Sequence, residues 1–129
     1  MMSVQEIQAL AQQFADAFDT KNIKAVLDML SDDLEVFDHA PYRFDNKRLF
    51  AAFLSAATEG IASMSFGFRQ PSCRVFNEHT GIVNAYDSFT GVTKDGKVQT
   101  LHGRTTLVFV KQGGQWKIVS AHFSPLPHA

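Results

Sequence analysis

One cysteine, one tryptophan and four prolines are spread over 129 residues, and the 12 lysines and arginines are scattered rather than clustered. Each scarcity excludes something. A lone thiol, Cys73, permits no internal disulfide framework and no thiolate metal site within one chain, and it fits a reducing compartment. With a formal net charge of -1 and no basic patch, there is no electrostatic footprint for nucleic acid or for an anionic membrane. No apolar run approaches the length of a transmembrane span. The opening stretch MMSVQEIQALAQQFADAF has neither a basic n-region nor an unbroken apolar h-region, so it does not read as a signal peptide. Together these absences predict a cytoplasmic protein with no nucleic-acid or membrane partner.

Chemical motifs are equally sparse. His39, His79, His102 and His122 lie far apart in the sequence, and no His-x-x-x-His or Cys-x-x-Cys pattern occurs, so no metal site is expected. A phosphate-binding glycine loop, a Gly-x-Ser-x-Gly elbow and a dinucleotide fingerprint are also absent, and no cofactor is expected.

What the chain does have is core-forming residues: 45% are hydrophobic, 12 of them phenylalanine. A chain of this size hides roughly two thirds of its unfolded surface, enough for one domain over residues 1–129. Ser3 followed by Glu6 reads as a capping box, and Val4, Ile7, Leu10, Ala11, Phe14 and Phe18 recur at helical spacing, which predicts a helix from about Val4 to Phe18. Asn22 can cap a second, two-turn helix carried by Ile23, Val26, Leu27 and Leu30. LEVFDH then switches to period two, with Leu34, Val36 and Asp38 on one face and Glu35, Phe37 and His39 on the other. Asp45 can cap a third helix, striped by Leu49, Phe50, Phe53, Leu54 and Ala57 and ended by Gly60.

Beyond Gly60 the periodicity is that of strands. SMSFGFR alternates, Pro71 demands an edge position or a bulge, and Asp95-Gly96 suits a two-residue hairpin turn. The order of elements predicts an α+β domain with helices on one face of a curved antiparallel sheet. VQTLHGRTTLVFV and WKIVSAHF carry apolar residues on both faces, although helices cover only one. A homodimer through the open face is therefore expected.

Two stretches carry a family likeness. AQQFADAFDTKNIKAVLDMLSDDLEVFDHAP resembles the first two helices and first strand of ketosteroid isomerase. GRTTLVFVKQGGQWKIVSAHFSPLP is similar to the closing hairpin of SnoaL-like and kinase-association domains, with Trp116, Val119, His122 and Ser124 on recurring positions. Over essentially its whole length the chain resembles the superfamily of nuclear transport factor 2, ketosteroid isomerase, the SnoaL-like polyketide cyclases and the calcium/calmodulin-dependent protein kinase II association domain. The resemblance implies a cone of curved antiparallel sheet with three N-terminal helices on its concave face, enclosing a pocket. It brings Asp38 onto the position of the isomerase's general base. The isomerase's phenol falls on Phe14, which has no hydroxyl, and its acidic donor falls within Thr106 to Val108, where no carboxyl occurs. Loss of one oxyanion donor costs about two to three orders of magnitude in rate, which argues against steroid isomerisation by the familiar mechanism.

The candidate site residues follow. Asp38 is a candidate base, set against a strand-end Asp that bonds the turn before Pro41. Strand alternation sends His39 to the opposite face, as a turn histidine. Arg104 and Thr106 share a face in the stretch that lines the pocket in relatives, where Arg104 could hold an anion, polarise a carbonyl or pair with Asp38 or Asp87. Asp87 shares a face with Val83, Ala85 and Phe89, inward by the resemblance unless a bulge substitutes Tyr86. Phe14, Phe18, Tyr42, Phe53, Val119 and Phe123 are expected to line the pocket, while Trp116 and His122 read as structural, with His122 buried towards the dimer side. Two functions remain open: a cofactor-independent acid–base enzyme on a small apolar carbonyl compound, or a non-catalytic small-ligand-binding or dimerisation module.

Overall fold

The computed structural model describes residues 2–127. Helix α1 (Met2–Asp19) and the short α2 (Ile23–Asp28) precede strands β1 (Leu30–Phe37) and β2 (Arg43–Phe44), followed by α3 (Lys47–Glu59). Four long strands complete the chain: β3 (Ile61–Phe76), β4 (Thr80–Thr93), β5 (Val98–Gln112) and β6 (Gln115–Pro125). All six strands join one curved, unclosed sheet in the order β2-β1-β6-β5-β4-β3. The α+β architecture with helices over one sheet face is as the sequence predicts. The meander β3 to β6 is antiparallel, and β1 joins β6 in parallel.

Local chemistry sets the joints. Helix α1 starts at Met2, so Ser3 sits in its first turn rather than at its cap. It ends with Lys21 at φ +56°. There Asn22 N–H donates to the Ala17 carbonyl at 2.7 Å and Lys21 N–H to that of Phe18 at 2.9 Å, the paired bonds of a Schellman ending. Asn22 then caps α2 through a bond from Ala25 N–H at 3.1 Å. Helix α3 is capped by Asn46, which accepts from Leu49 N–H at 2.9 Å, and not by Asp45, whose carboxylate holds Arg43 at 2.6 Å.

Two joints differ between the long hairpins. Between β5 and β6, Gly113 and Gly114 both have positive φ, +57° and +81°, and Gln112 pairs with Gln115, as a tight two-residue turn requires. Between β4 and β5 the sequence predicts the same turn at Asp95-Gly96. Instead only Gly96 has positive φ, +87°. Gly96 N–H donates to the Thr93 carbonyl at 3.0 Å and Thr93 N–H to that of Lys97 at 2.9 Å. This is a three-residue loop closed by a glycine bulge, and it pairs Val92 with Val98. Pro71 lies on edge strand β3 beside Gln70 at φ +50°, where the pairing to β4 slips between Arg69 and Ser72, a bulge that bends the sheet.

The core fills the space between α1, α3 and the concave face. Ile7, Phe14, Val26, Leu34, Val36, Val83, Leu107, Phe109 and Ile118 are almost wholly buried. Helix α1 comes close to β4 because Gly81 has no side chain: a Cβ there would lie 2.5 Å from Ile7 Cδ1 and 2.7 Å from Ile7 Cγ1. Since Ile7 is fully buried it cannot swing away. Gly81→Ala should therefore cost about 1–3 kcal/mol through overpacking. Gly67→Ala, where an added Cβ meets nothing within 4 Å, should be close to neutral. Urea denaturation of both variants checks the contrast.

Candidate functional site

Among the described residues, a cavity of about 290 Å³ opens between α1, α3 and the concave face of β3, β4 and β5. Its walls are apolar: Phe18, Phe53, Phe66, Phe89 and Phe123 contribute rings, and Ile61, Met64 and Leu101 aliphatic surface. Phe14 does not reach the cavity. It is buried behind the wall, with its ring 5.1 Å from that of Phe18, 6.0 Å from Phe68 and 6.2 Å from Phe123, so it holds two lining rings in place. A phenol hydroxyl is thus missing from this wall.

The polar end carries Asp38, His39 and Asp87. Strand β1 ends at Phe37, and beyond it strand alternation no longer applies. Asp38 and His39 therefore both border the cavity, contrary to the separation that period two predicts. Asp38 Oδ1 accepts from the His39 backbone N–H at 2.7 Å, a turn bond of the kind expected for a strand-end Asp, yet the carboxylate still faces the cavity. Burial pushes the Asp38 carboxyl above its ordinary value. The His39 N–H and imidazole oppose that rise, and the Asp87 carboxylate adds to it.

Asp87 faces inward, as the pattern through Val83, Ala85 and Phe89 implies, and Tyr86 lies on the opposite face, 47% exposed. Asp87 Oδ2 accepts from Thr105 Oγ1 at 2.5 Å. Thr105 is a site residue that the sequence does not reveal. Arg104 and Thr106 were the expected inward pair, but the β4–β5 register places Gly103 opposite Asp87, Arg104 opposite Tyr86 and Thr106 opposite Asn84. Both therefore project from the outer face, where Thr106 Oγ1 donates to Asn84 Oδ1 at 2.6 Å. The ion-pair network of Asp38, Asp87 and Arg104 does not form. The salt bridges among the described residues are three exposed pairs elsewhere.

The other expected lining residues divide. Phe18, Phe53 and Phe123 line the cavity. Tyr42 is 62% exposed and packs edge-on against Phe44 at 5.4 Å. Val119 is the extra residue of a β6 bulge, since Val108 pairs with Ser120 and Phe109 with Ile118. His122 faces outward as expected but is exposed in the single chain, its ring 5.6 Å from that of Phe37. Trp116 is half-buried near the β5–β6 turn, under Lys111 Nζ at 5.6 Å, and its enclosed Nε1 has no acceptor among the described residues. No group of three or more His, Cys, Asp or Glu among the described residues is placed to hold a metal ion, and no helix there is long and apolar enough to cross a membrane.

A model of the SnoaL-like domain family matches residues 7–128. No curated protein matches the sequence. Solved structures share the fold at low identity. A nuclear transport factor 2-like superfamily protein from Salmonella enterica serovar Typhimurium superposes with TM-score 0.85 at 18% identity, over 98% of this chain and 93% of that one. A protein from Novosphingobium aromaticivorans, provisionally described as a scytalone dehydratase, gives 0.82 at 14% identity over 98% and 89%. The association domain of C. elegans CaMKII gives 0.72 at 16% over 93% of each chain.

The elevated Asp38 carboxyl has a consequence for stability. In acid it is protonated in both folded and unfolded chains. As pH rises past the unfolded value of 3.8, the unfolded chain loses its proton first, so the folded state loses stability until its own elevated value is passed. Asp38→Asn should match the parent protein in acid and exceed it in stability towards neutrality. Denaturant titrations from about pH 3 to 8 read that gap. A variant less stable than the parent at neutral pH would mark Asp38 as a structural anchor instead.

Proposed function

The chain belongs to the SnoaL-like domain family, and from that premise we propose that its cavity is the active site of a cofactor-independent acid–base enzyme acting on a small apolar carbonyl compound. Family membership alone does not choose a reaction, because one fold hosts many chemistries. The observation that carries the proposal is a carboxylate, Asp38, set at the wall of an aromatic-lined cavity and raised in proton affinity by burial. A base poised in this way takes a proton from carbon more readily than a solvated carboxylate does. The chemistry is a proton transfer of the isomerase, cyclase or hydrolase kind, and the likeness to a provisionally described dehydratase adds elimination to that group.

Polarising the carbonyl does not fall to Arg104 or to a tyrosine, since Arg104, Tyr42 and Tyr86 lie outside the cavity lining. The polar side chains that border it besides the carboxylates are the His39 imidazole and the Gln99 amide; the Thr58 hydroxyl is already committed to the Leu54 carbonyl at 2.7 Å. The alternative is a non-catalytic ligand-binding or dimerisation module, favoured by the absence of a Tyr or Arg donor. A second copy against the open face is part of either reading. It is supported by the exposed Phe37 (51%) and Tyr86 on that face and by the fold shared with an association domain.

A panel of small apolar carbonyl compounds, scored first by thermal stabilisation and then by turnover, tests the enzyme. Asp38→Asn should bind the same compounds and lose about two orders of magnitude or more in kcat. Undiminished turnover in that variant removes Asp38 from the chemistry; binding without turnover in both proteins favours the module. Phe37→Glu should shift sedimentation from dimer to monomer, and a parent protein that sediments as a monomer ends the dimer proposal.

A further inference from the structure

Among the described residues, the cavity lining holds two carboxylates and no lysine or arginine. Asp87 is the more deeply placed, only 9% exposed. Its Oδ2 accepts from Thr105 Oγ1, and no described residue donates to its Oδ1. A carboxylate offers about four acceptor sites, and one hydroxyl occupies a single one of them. The sheet is hollowed to seat this group. Across the strand from it stands Gly103, where a Cβ would lie 3.0 Å from Asp87 Oδ1, 3.2 Å from Oδ2 and 2.7 Å from the Ser124 carbonyl oxygen. Arg104, the adjacent cation in sequence, projects from the other face. A buried carboxylate without a cation is costly, and a cation brought by a ligand offsets that cost. The lining phenylalanine rings take an apolar body and present π faces to positive charge.

We propose that the cavity takes an apolar molecule bearing a protonated amine, with Asp87 as the residue that holds the ammonium group. The proposal deepens the functional reading in that it rests on this cavity being the binding site, and it leaves Asp38 free to act as the base. Anionic ligands are disfavoured by the same geometry, since two carboxylates line the cavity and no lysine or arginine does.

Three probes of one shape separate the possibilities: 1-naphthylmethylamine, 1-naphthylmethanol and 1-naphthoate, titrated against the intact protein by calorimetry. The amine should bind about tenfold or more tightly than the alcohol, the worth of one charge-assisted hydrogen bond, and the naphthoate more weakly than both. Asp87→Asn should erase the difference between amine and alcohol, whereas Asp38→Asn should preserve it. An amine that binds no better than the alcohol, including no binding by either, overturns the proposal, as does a preference that survives Asp87→Asn. The ranking in the parent protein stands as a test even where Asp87→Asn does not fold. Failure of the acid–base reading has a different signature: turnover that persists in Asp38→Asn, whatever the charge ranking.

Discussion

The register between β4 and β5 is the constraint on which the site depends. Side chains alternate along a strand, so a shift of one residue sends every inward group of β5 outward. A two-residue turn at Asp95-Gly96 would set Arg104 opposite Asp87 and build the salt-bridged interior that the charges suggest. The glycine bulge at Gly96 lengthens the loop by one residue and sets Gly103 opposite Asp87 instead. From that single residue follow the inward Thr105, the outward Arg104 and Thr106, and a cavity lined by two carboxylates without a lysine or arginine. Leu107 and Phe109 enter the core through the same register, so packing and site electrostatics are decided together.

The cavity exists at some cost to stability. Burying Asp38 beside Asp87 raises the energy of the ionised Asp38, and a chain selected for stability alone would place a cation or an apolar side chain there. The aromatic cluster offsets this. Phe14, Phe18, Phe68 and Phe123 pack ring against ring, which supports the wall of the cavity. Phe14 therefore contributes packing, and no hydroxyl, behind this wall. The polar end of the cavity is left to Asp38, Asp87 and His39.

Strand ends mark the other place where pattern and structure part. Period two separates Asp38 from His39 only while the chain remains a strand. Because β1 stops at Phe37, the next two residues turn and both border the cavity. The β6 bulge likewise takes Val119 out of the alternation that would keep it beside Ala121 and Phe123. The helices, by contrast, match their sequence signals to within a residue or two. Their apolar stripes repeat over several turns and tolerate an end effect at Ser3 or Asp45.

By itself the sequence determined the α+β class, the order of the three helices and the long strands, and the buried stripes of α1 and α3. These rest on repeated local patterns in which many residues agree. Only the tertiary structure decided which face of β5 looks inward, that Thr105 rather than Arg104 meets Asp87, and that His39 reaches the cavity. Leu107 to Val110 are apolar at every position, so alternation there carries no phase. The phase is supplied by the three-residue loop, in which Asp95 keeps a negative φ and Gly96 alone turns positive, and by hydrogen bonds made across the sheet.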